Sequence, residues 1–250
     1  MRTCVRTAHS AKGQRKANRN KSKTARGEKI TKRKIRPLTG DEIPAYLNAA
    51  AEDRWSYALR LLPFSGLRES ELLGLTWDCV DFERNAITID KQLLKRGKAD
   101  GGYTLAPTKS DNIRTVVLAP SAMDLLRQRQ HQQIEHRLQA GEAWTGWKTP
   151  AEQRRALVFT TETGEHLTPN SLYYHAKRIL SAIGCGDRDV HDLRHTYATL
   201  SLQNGMDIKT LQMSLGHATA AFTLDTYAHV SEQMQQQAAE GMEQYISGLK

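Results

Sequence analysis

The chain of 250 residues has little of several features that define large protein classes. It contains three cysteines, Cys4, Cys79 and Cys185, an odd number without a C-x-x-C or Cys/His ligand spacing. This pattern argues against a disulfide framework or a structural zinc site and favours a reducing compartment. No apolar run approaches the ~20 residues of a membrane-spanning helix, and no apolar stretch follows the basic N-terminus, as a secretory signal would require. We therefore expect a cytoplasmic protein without a membrane partner.

Motifs for nucleotide binding and for zinc proteolysis are also missing. The sequence contains no G-x-x-x-x-G-K-[ST], no G-x-G-x-x-G and no H-E-x-x-H. The first two motifs hold phosphates and the third holds zinc. It also shows no carboxylate cluster suited to Mg²⁺. The sequence predicts neither a bound metal nor a cofactor.

Positive charge is concentrated at the start of the chain. Residues 1–36 hold 14 of the 36 lysines and arginines and one acid, Glu28. Residues 37–250 hold the other 22 basic residues and 26 acids, so this body is slightly acidic. The first segment has almost no side chain to bury and is expected to be disordered or extended when free. Its charge favours a polyanionic partner, nucleic acid before membrane.

Hydrophobic periodicity predicts a body that is mainly α-helical with one small antiparallel β-sheet, an α+β fold. β-branched runs bounded by turn residues predict strands near 86–90 and 113–118. A polar segment at 140–156 is expected to be a surface insertion, and 157–159 a short strand or buried connector. The expected helices lie near 39–50, 55–64 (broken at Pro63 and Gly66), 69–75, 120–139, 169–183, 191–204, 208–214, 219–227 and 231–246.

The first unusual polar group lies in an otherwise apolar segment at 62–75. Arg68 and Glu71 are three residues apart and so share one face of a helix. Taken alone, the pair is also typical of a weak ion pair on a helix surface.

The second group lies in the segment Val190–Leu200. Leu193, Tyr197 and Leu200 give the spacing of a core-facing helical stripe. His191 and Arg194 stand at the start of that helix, where backbone N–H groups also favour an anion. The alternative is a capped helix with solvated polar residues.

The third group is Leu215-Gly216-His217, followed ten residues later by Tyr227. By itself Tyr227 is better explained as a core aromatic residue with a hydrogen-bonded hydroxyl.

Together these segments resemble the tyrosine recombinases, the family of phage-type integrases and chromosome-dimer resolvases. The resemblance covers about residues 39–230 and implies the catalytic-domain fold of that family. Four motifs carry it in order: G-L-R-x-x-E-L at Gly66–Leu72, H-x-L-R-H at His191–His195, L-G-H at Leu215–His217 and T-x-x-x-Y-x-H at Thr223–His229.

The resemblance implies a catalytic role for five residues. Tyr227 would attack a DNA phosphodiester, giving a 3′-phosphotyrosyl bond and a free 5′-hydroxyl. Arg68 and Arg194 would bind the non-bridging phosphate oxygens, His191 would act on the tyrosine proton as acid and base, and His217 would donate a further hydrogen bond. Cationic donors stabilise charge in such a transition state, and a phenol with a pKa of ~10 needs a base and a positive field.

Two supporting residues follow from the same resemblance. Glu71 would orient the site without reacting. A lysine in the β-hairpin would serve as general acid for the leaving 5′-oxygen, and Lys109 lies at that turn. The common pattern puts this lysine one residue earlier, where the sequence has Thr108, so Lys95 and Lys98 in the same loop are rivals.

The resemblance also divides the chain into three parts. Residues 1–36 stand where the family has a core-binding domain and are interpreted as a DNA-contacting arm or linker, residues 37–230 as the catalytic domain and residues 231–250 as a terminal helix. The stripe Met234, Ala238, Met242 and Ile246 on that helix packs either on its own body or on a neighbouring protomer. The basic residues of the arm expected to contact DNA are Lys12, Arg15, Lys16, Arg19, Lys21, Lys23, Lys32, Arg33, Lys34 and Arg36.

The predicted activity is site-specific recombination of double-stranded DNA by a homo-oligomer, a tetramer on DNA. Two alternatives stay open. In the first, the chain is a non-catalytic DNA-binding remnant, which would bind DNA without cutting it. In the second, it is a relaxase similar to type IB topoisomerases, which would act without a defined sequence.

Overall fold

The computed structural model describes residues 35–97, 102–108, 113–217 and 219–248. Within these ranges, helices and two small antiparallel sheets form the body, which confirms the mainly helical α+β class. The helices are α1 (Glu42–Ala51), α2 (Ser56–Ser65), α3 (Glu69–Leu73), α4 (Pro120–Ala140), α5 (Pro150–Arg155), α6 (Pro169–Ala182), α7 (Val190–Gln203), α8 (Ile208–Leu215) and α9 (Ala220–Gly248). The strands are β1 (Val80–Asp81), β2 (Ala86–Ile89), β3 (Lys91–Lys95), β4 (Tyr103–Pro107) and β5 (Arg114–Val117).

Helix α2 passes through Pro63, so the expected break at that residue is wrong. The helix ends instead at Gly66, which adopts a left-handed conformation with φ of 61°. A glycine reaches this conformation without the steric cost of a Cβ. A Cβ at Gly66 would also collide with the ring of Tyr197 in α7. The turn after α2 therefore brings the backbone against α7 just before Arg68.

The sheets are more extensive than the sequence indicated. Strands β1, β2 and β5 form one antiparallel sheet in that order, and β5 pairs with β2 so that Arg114 lies opposite Ile89. A separate hairpin joins β3 and β4, with Lys95 opposite Tyr103. The sequence analysis predicted no strand in this region. Its side chains are mostly half-exposed, so they show little of the apolar alternation that marks a strand.

Residues 140–156 are not a simple surface insertion. Trp144 and Trp147 are both buried within this segment, and the Trp144 indole donates a hydrogen bond to the carbonyl of Trp147. Helix α5 begins at a capping box in which Thr149 and Glu152 satisfy each other's backbone N–H groups. The glycines and proline around the two tryptophans indicated a surface insertion, whereas the segment is a small packed unit.

Two groups of buried apolar side chains hold the body together. The larger one joins α1, α2, α3, α4 and α6 to the first sheet. The smaller one lies between α7, α8 and α9 and includes Tyr197, Leu211, Leu215 and Tyr227. Helix α7 belongs to both groups, and this explains why nearly all of its central residues are buried. In the described ranges, no helix combines the length and the hydropathy needed to cross a bilayer.

The last two expected helices follow each other more closely than the sequence indicated. Two helical segments within Ala220–Gly248 meet at a kink at Tyr227, where φ is −118° and ψ is 22°. The expected gap between residues 227 and 231 is therefore reduced to one non-helical residue. That residue is the predicted nucleophile, and its placement decides the geometry of the site.

Candidate active site

Arg68 stands at the start of α3, directly after the turn at Gly66. One of its terminal nitrogens donates to Glu71 Oε1 over 2.7 Å, and the other donates to the carbonyl of Gly216 over 3.2 Å. Its side chain is 44% exposed. Two hydrogen bonds therefore hold the Arg68 side chain in place, while part of it remains accessible to a ligand.

Glu71 is the common hydrogen-bond acceptor of Arg68 and Arg114. Its carboxylate is almost fully buried and also binds Arg114 through two hydrogen bonds, of 3.1 Å and 2.6 Å. Burial alone raises the pKa of Glu71, but the bonds from Arg114 and the charge of Arg68 together lower it below its ordinary value. The sequence analysis assigned Glu71 an orienting role and did not identify Arg114 as its partner.

Arg194 in α7 is buried and held by backbone oxygens. Its two terminal nitrogens donate to the carbonyls of Gly66 and Leu215, each over 2.6 Å. One of them lies 4.0 Å from the carboxylate of Glu71. Desolvation and the neighbouring charge of Arg68 lower the pKa of Arg194 to about 9, so the group stays mostly protonated at neutral pH. Arg68 and Arg194 thus converge from two parts of the chain onto the turn after α8.

His217 follows that turn. Its Nδ1 lies 3.0 Å from the hydroxyl of Thr223, at the start of α9. Burial, followed by the charges of Arg194 and Arg68, lowers the pKa of His217 to about 4. The imidazole is therefore neutral at physiological pH and carries one N–H.

Tyr227 lies in the smaller apolar cluster and is 2% exposed. Its hydroxyl is 2.7 Å from Nδ1 of His195 in α7. Burial raises the pKa of Tyr227 to about 12, although the charge of Arg194 acts in the opposite direction. The sequence analysis included His195 in the H-x-L-R-H motif but gave it no role. Its position one helical turn after His191 was the signal that placed both rings on one side of α7.

His191 lies at the exposed start of α7. Its backbone N–H is capped by the carboxylate of Asp189 over 2.8 Å. Its ring meets the ring of His195 edge-on, with centroids 4.7 Å apart. The structure thus places His191 beside His195, and the acid and base role of His191 stays a prediction.

A cavity of about 190 Å³ opens beside Arg68, His191 and Arg194. It is also lined by Glu69, whose Oε1 is buried and has no hydrogen-bond partner among the residues that the structure describes. Desolvation and the negative charge of Asp189 raise the pKa of Glu69 to about 7. The cavity therefore combines cationic donors with a carboxyl group that is partly protonated at neutral pH.

Several predicted residues lie outside the described ranges. These include Lys109, its rival Lys98 and all basic arm residues before position 35. Lys95 is described and exposed on β3. Arg36 forms an ion pair with Asp187, and its backbone N–H donates to Asp192 over 3.3 Å. In the described part of the chain, no group of histidine, cysteine and acidic side chains could hold a metal ion.

Comparison with known proteins agrees with this arrangement. The sequence profile of the phage integrase family matches residues 36–234 and so spans the four motifs and the helices that carry them. The chain belongs to the phage integrase family. The "Tyrosine recombinase XerC-like" protein of Caldanaerobacter subterraneus is 32% identical over 191 residues, which cover 73% of this chain and 48% of the relative.

A second relative of this chain is the "Putative prophage phiRv2 integrase" of Mycobacterium tuberculosis, which is 25% identical over 217 residues, 86% of this chain and 51% of that protein. The chain therefore spans about half the length of these curated relatives. The structure of the Tn1549 transposon integrase with transposon right end DNA superposes with a TM-score of 0.66 at 22% identity, covering 84% of this chain and 68% of that one. The described body has the fold of a tyrosine recombinase catalytic domain.

Glu71→Gln tests the charge balance of the site. The substitution keeps the shape of the side chain but leaves Arg68, Arg114 and Arg194 without their anion. We expect it to lower the free energy of unfolding by about 3 kcal/mol, because breaking a buried ion pair leaves uncompensated charge. Urea denaturation at pH 7 measures this change.

Glu162→Gln is the matched control for this substitution. Glu162 forms a similar two-bond pair with Arg54, but both side chains are about half exposed. Its loss should cost less than about 1 kcal/mol. Equal effects of the two substitutions would contradict the central role of Glu71.

Proposed function

We propose that this integrase cleaves and rejoins DNA strands at a specific recombination site through a covalent 3′-phosphotyrosyl intermediate. Tyr227 attacks the phosphorus and the 5′-oxygen leaves as a hydroxyl. The phosphodiester energy is conserved in the tyrosyl ester, so rejoining needs no nucleotide triphosphate.

The observation that carries this proposal is the convergence of four side chains from three separate segments. Arg68 and Arg194 both donate to the turn Leu215–Gly216, His217 follows that turn, and Tyr227 contacts the helix that holds Arg194. A phosphate placed between the guanidinium groups would meet fixed cationic donors beside a tyrosine hydroxyl. Preorganised donors of this kind stabilise the negative charge that develops on the phosphate oxygens.

The other parts of the reaction follow from the family resemblance and from the chemistry of the groups. His217, a neutral imidazole, donates its N–H to the phosphate, and His191 takes part in proton transfer. Lys109 protonates the leaving 5′-oxygen. The enzyme works in the cytoplasm, associated with the nucleoid when bound to DNA.

Tyr227→Phe tests the activity. We incubate wild-type protein with a library of nicked duplexes of random sequence, purify complexes that survive denaturing detergent, and sequence their DNA. The wild type should form covalent complexes that reveal a preferred site, and the Phe variant should form none, because it lacks the attacking oxygen.

Each outcome of this experiment has a distinct meaning. Covalent complexes formed equally by both proteins would show that Tyr227 is not the nucleophile. Binding without any covalent complex would favour a non-catalytic DNA-binding protein. Covalent complexes without a preferred sequence would favour a relaxase.

We further propose that residues 1–34 form a DNA-contacting arm. The support is their charge, 13 basic residues against one acid, beside a body that is slightly acidic. Arg36, two residues after this segment, was also expected to contact DNA, but it is paired with Asp187 and has less charge to offer DNA. In this division of roles, the arm supplies affinity and the body supplies chemistry.

Deleting residues 1–34 should weaken DNA binding and flatten its dependence on salt. A plot of log K against log [salt] has a negative slope, and each phosphate contact that is lost makes this slope less steep by about 0.9. Fluorescence anisotropy between about 50 and 200 mM salt measures the slope. An arm of equal length with glutamine at each basic position is the control, and a slope that neither change alters would refute this role.

The end of α9 is proposed to dock on a neighbouring protomer, linking cleavage to assembly of a homo-oligomer, a tetramer on DNA. Met242, Tyr245 and Ile246 are 60%, 66% and 55% exposed, so in this chain they have not found an apolar partner. A cleft of about 600 Å³ between α1, α2 and α7 offers apolar walls from residues such as Phe64 and Met206. We assign this cleft to the α9 end of a second copy.

Met242→Asp with Ile246→Asp tests this contact. Both side chains are exposed, so the protomer should keep its stability, while burial of two charges in an apolar cleft should prevent assembly. Sedimentation of the protein on DNA with two sites measures the oligomer. Gln244→Asp with Ser247→Asp adds the same charge on exposed positions of the same segment and should leave assembly intact. Assembly by both variants would exclude this surface.

A further inference from the structure

The hydroxyl of Tyr227 is in contact with a histidine of α7. Tyr227 Oη and His195 Nδ1 are 2.7 Å apart, within the range of a strong hydrogen bond. The two side chains are 2% and 8% exposed, and their ring centroids are 5.7 Å apart. The contact is therefore specific and shielded from bulk water.

A tyrosine in this environment needs a proton acceptor. Burial raises the pKa of Tyr227 to about 12, so the phenol is neutral at physiological pH and a poor nucleophile. Arg194 stabilises the phenolate by its charge but cannot accept a proton, because a guanidinium group has only donors. The imidazole that touches the hydroxyl has the required chemistry, since a neutral imidazole offers one unprotonated nitrogen.

We propose that His195 is a catalytic residue of this integrase, the group that takes the proton of Tyr227 during strand cleavage and returns it during rejoining. The proposal rests on the covalent mechanism stated above and assigns to His195 the transfer of the tyrosine proton that the family resemblance gives to His191. It requires the tautomer of His195 that carries hydrogen on Nε2 and leaves Nδ1 as the acceptor.

During strand cleavage the O–H bond of Tyr227 breaks, and its proton moves to Nδ1 of His195. The phenolic oxygen forms a bond to phosphorus, and the bond between phosphorus and the 5′-oxygen breaks. The electron pair stays on that oxygen, which takes a proton from a separate acid, for which Lys109 is the predicted group. Rejoining reverses each transfer.

This assignment gives the two histidines of α7 different positions in one reaction. His191 lines the cavity beside Arg68 and Arg194, where a phosphate would bind. His195 lies one turn further along the helix, against the tyrosine. Because the two rings meet edge-on with their centroids 4.7 Å apart, a charge on one imidazole changes the electrostatic potential at the other.

The competing explanation is that His195 only holds Tyr227 in the apolar cluster. His195→Asn separates the two roles, because the amide of asparagine occupies the place of Nδ1 and accepts a hydrogen bond without acting as a base. Thr196→Val is the control for structural damage. Thr196 is the next residue of α7, is buried and accepts a hydrogen bond from the N–H of Leu38 over 2.8 Å, away from the tyrosine.

The experiment measures the single-turnover rate of covalent complex formation on a nicked duplex that carries the site selected by the wild type. Thermal unfolding and DNA affinity are recorded for each variant. His195→Asn should bind DNA as the wild type does and cleave it at least about 100-fold more slowly, the typical worth of a general base. Thr196→Val should cleave at a rate close to that of the wild type.

A second substrate locates the defect in the reaction. A sulfur in place of the bridging 5′-oxygen leaves without help from an acid. It should therefore restore cleavage by a variant of the leaving-group acid but not by His195→Asn. A His195→Asn rate within threefold of the wild type on the normal substrate, or full rescue by the sulfur substrate, would overturn the proposal. Absence of covalent complexes with the wild type would instead overturn the proposed function.

Discussion

The structure of the site depends on one buried carboxylate. Glu71 binds Arg68 and Arg114 directly and lies 4.0 Å from Arg194. Burial, and after it the charges of Arg68 and Arg114, lower the pKa of Arg194. The buried anion offsets the repulsion among the three guanidinium groups, so they stay close together. The same carboxylate ties α3 to β5 and α7, so the charge balance and the packing of the site have a common origin.

Backbone carbonyls also hold two of these arginines in place. Arg194 is fixed by the oxygens of Gly66 and Leu215, and Arg68 by that of Gly216. Both glycines have positive φ, 61° and 64°, and at both a Cβ would collide with a neighbouring side chain. The glycines of the G-L-R and L-G-H motifs therefore serve geometry: each allows the chain to turn and a carbonyl to approach a guanidinium closely.

Local patterns in the sequence predicted the groups whose partners are nearby. The spacing of Arg68 and Glu71 gave their pairing, and the stripe on α7 gave a core helix. Contacts between distant segments were harder to predict. Arg114 is 43 residues from Glu71, and it was taken only as part of a β-branched strand. Its signal was present, because Arg114 and Val116 alternate with exposed neighbours and so share the buried face. An arginine on such a face requires an anion.

Helix α9 shows what local patterns cannot reveal about Tyr227, the predicted nucleophile. The sequence predicted an end to one helix at Tyr227 and a start to another after it, and the structure places the boundary between the two helical segments at this single kinked residue. The kink places the tyrosine ring in the cluster with Leu211 and Leu215, while the same helix extends to the exposed apolar side chains near its end. Since α9 carries both the predicted nucleophile and this exposed surface, a partner that moved the end of α9 would act on the contact between Tyr227 and His195. The two atoms of this contact are 2.7 Å apart, and such a hydrogen bond weakens steeply when its angle falls below about 120°. The position of the tyrosine proton is therefore sensitive to how the end of α9 is held.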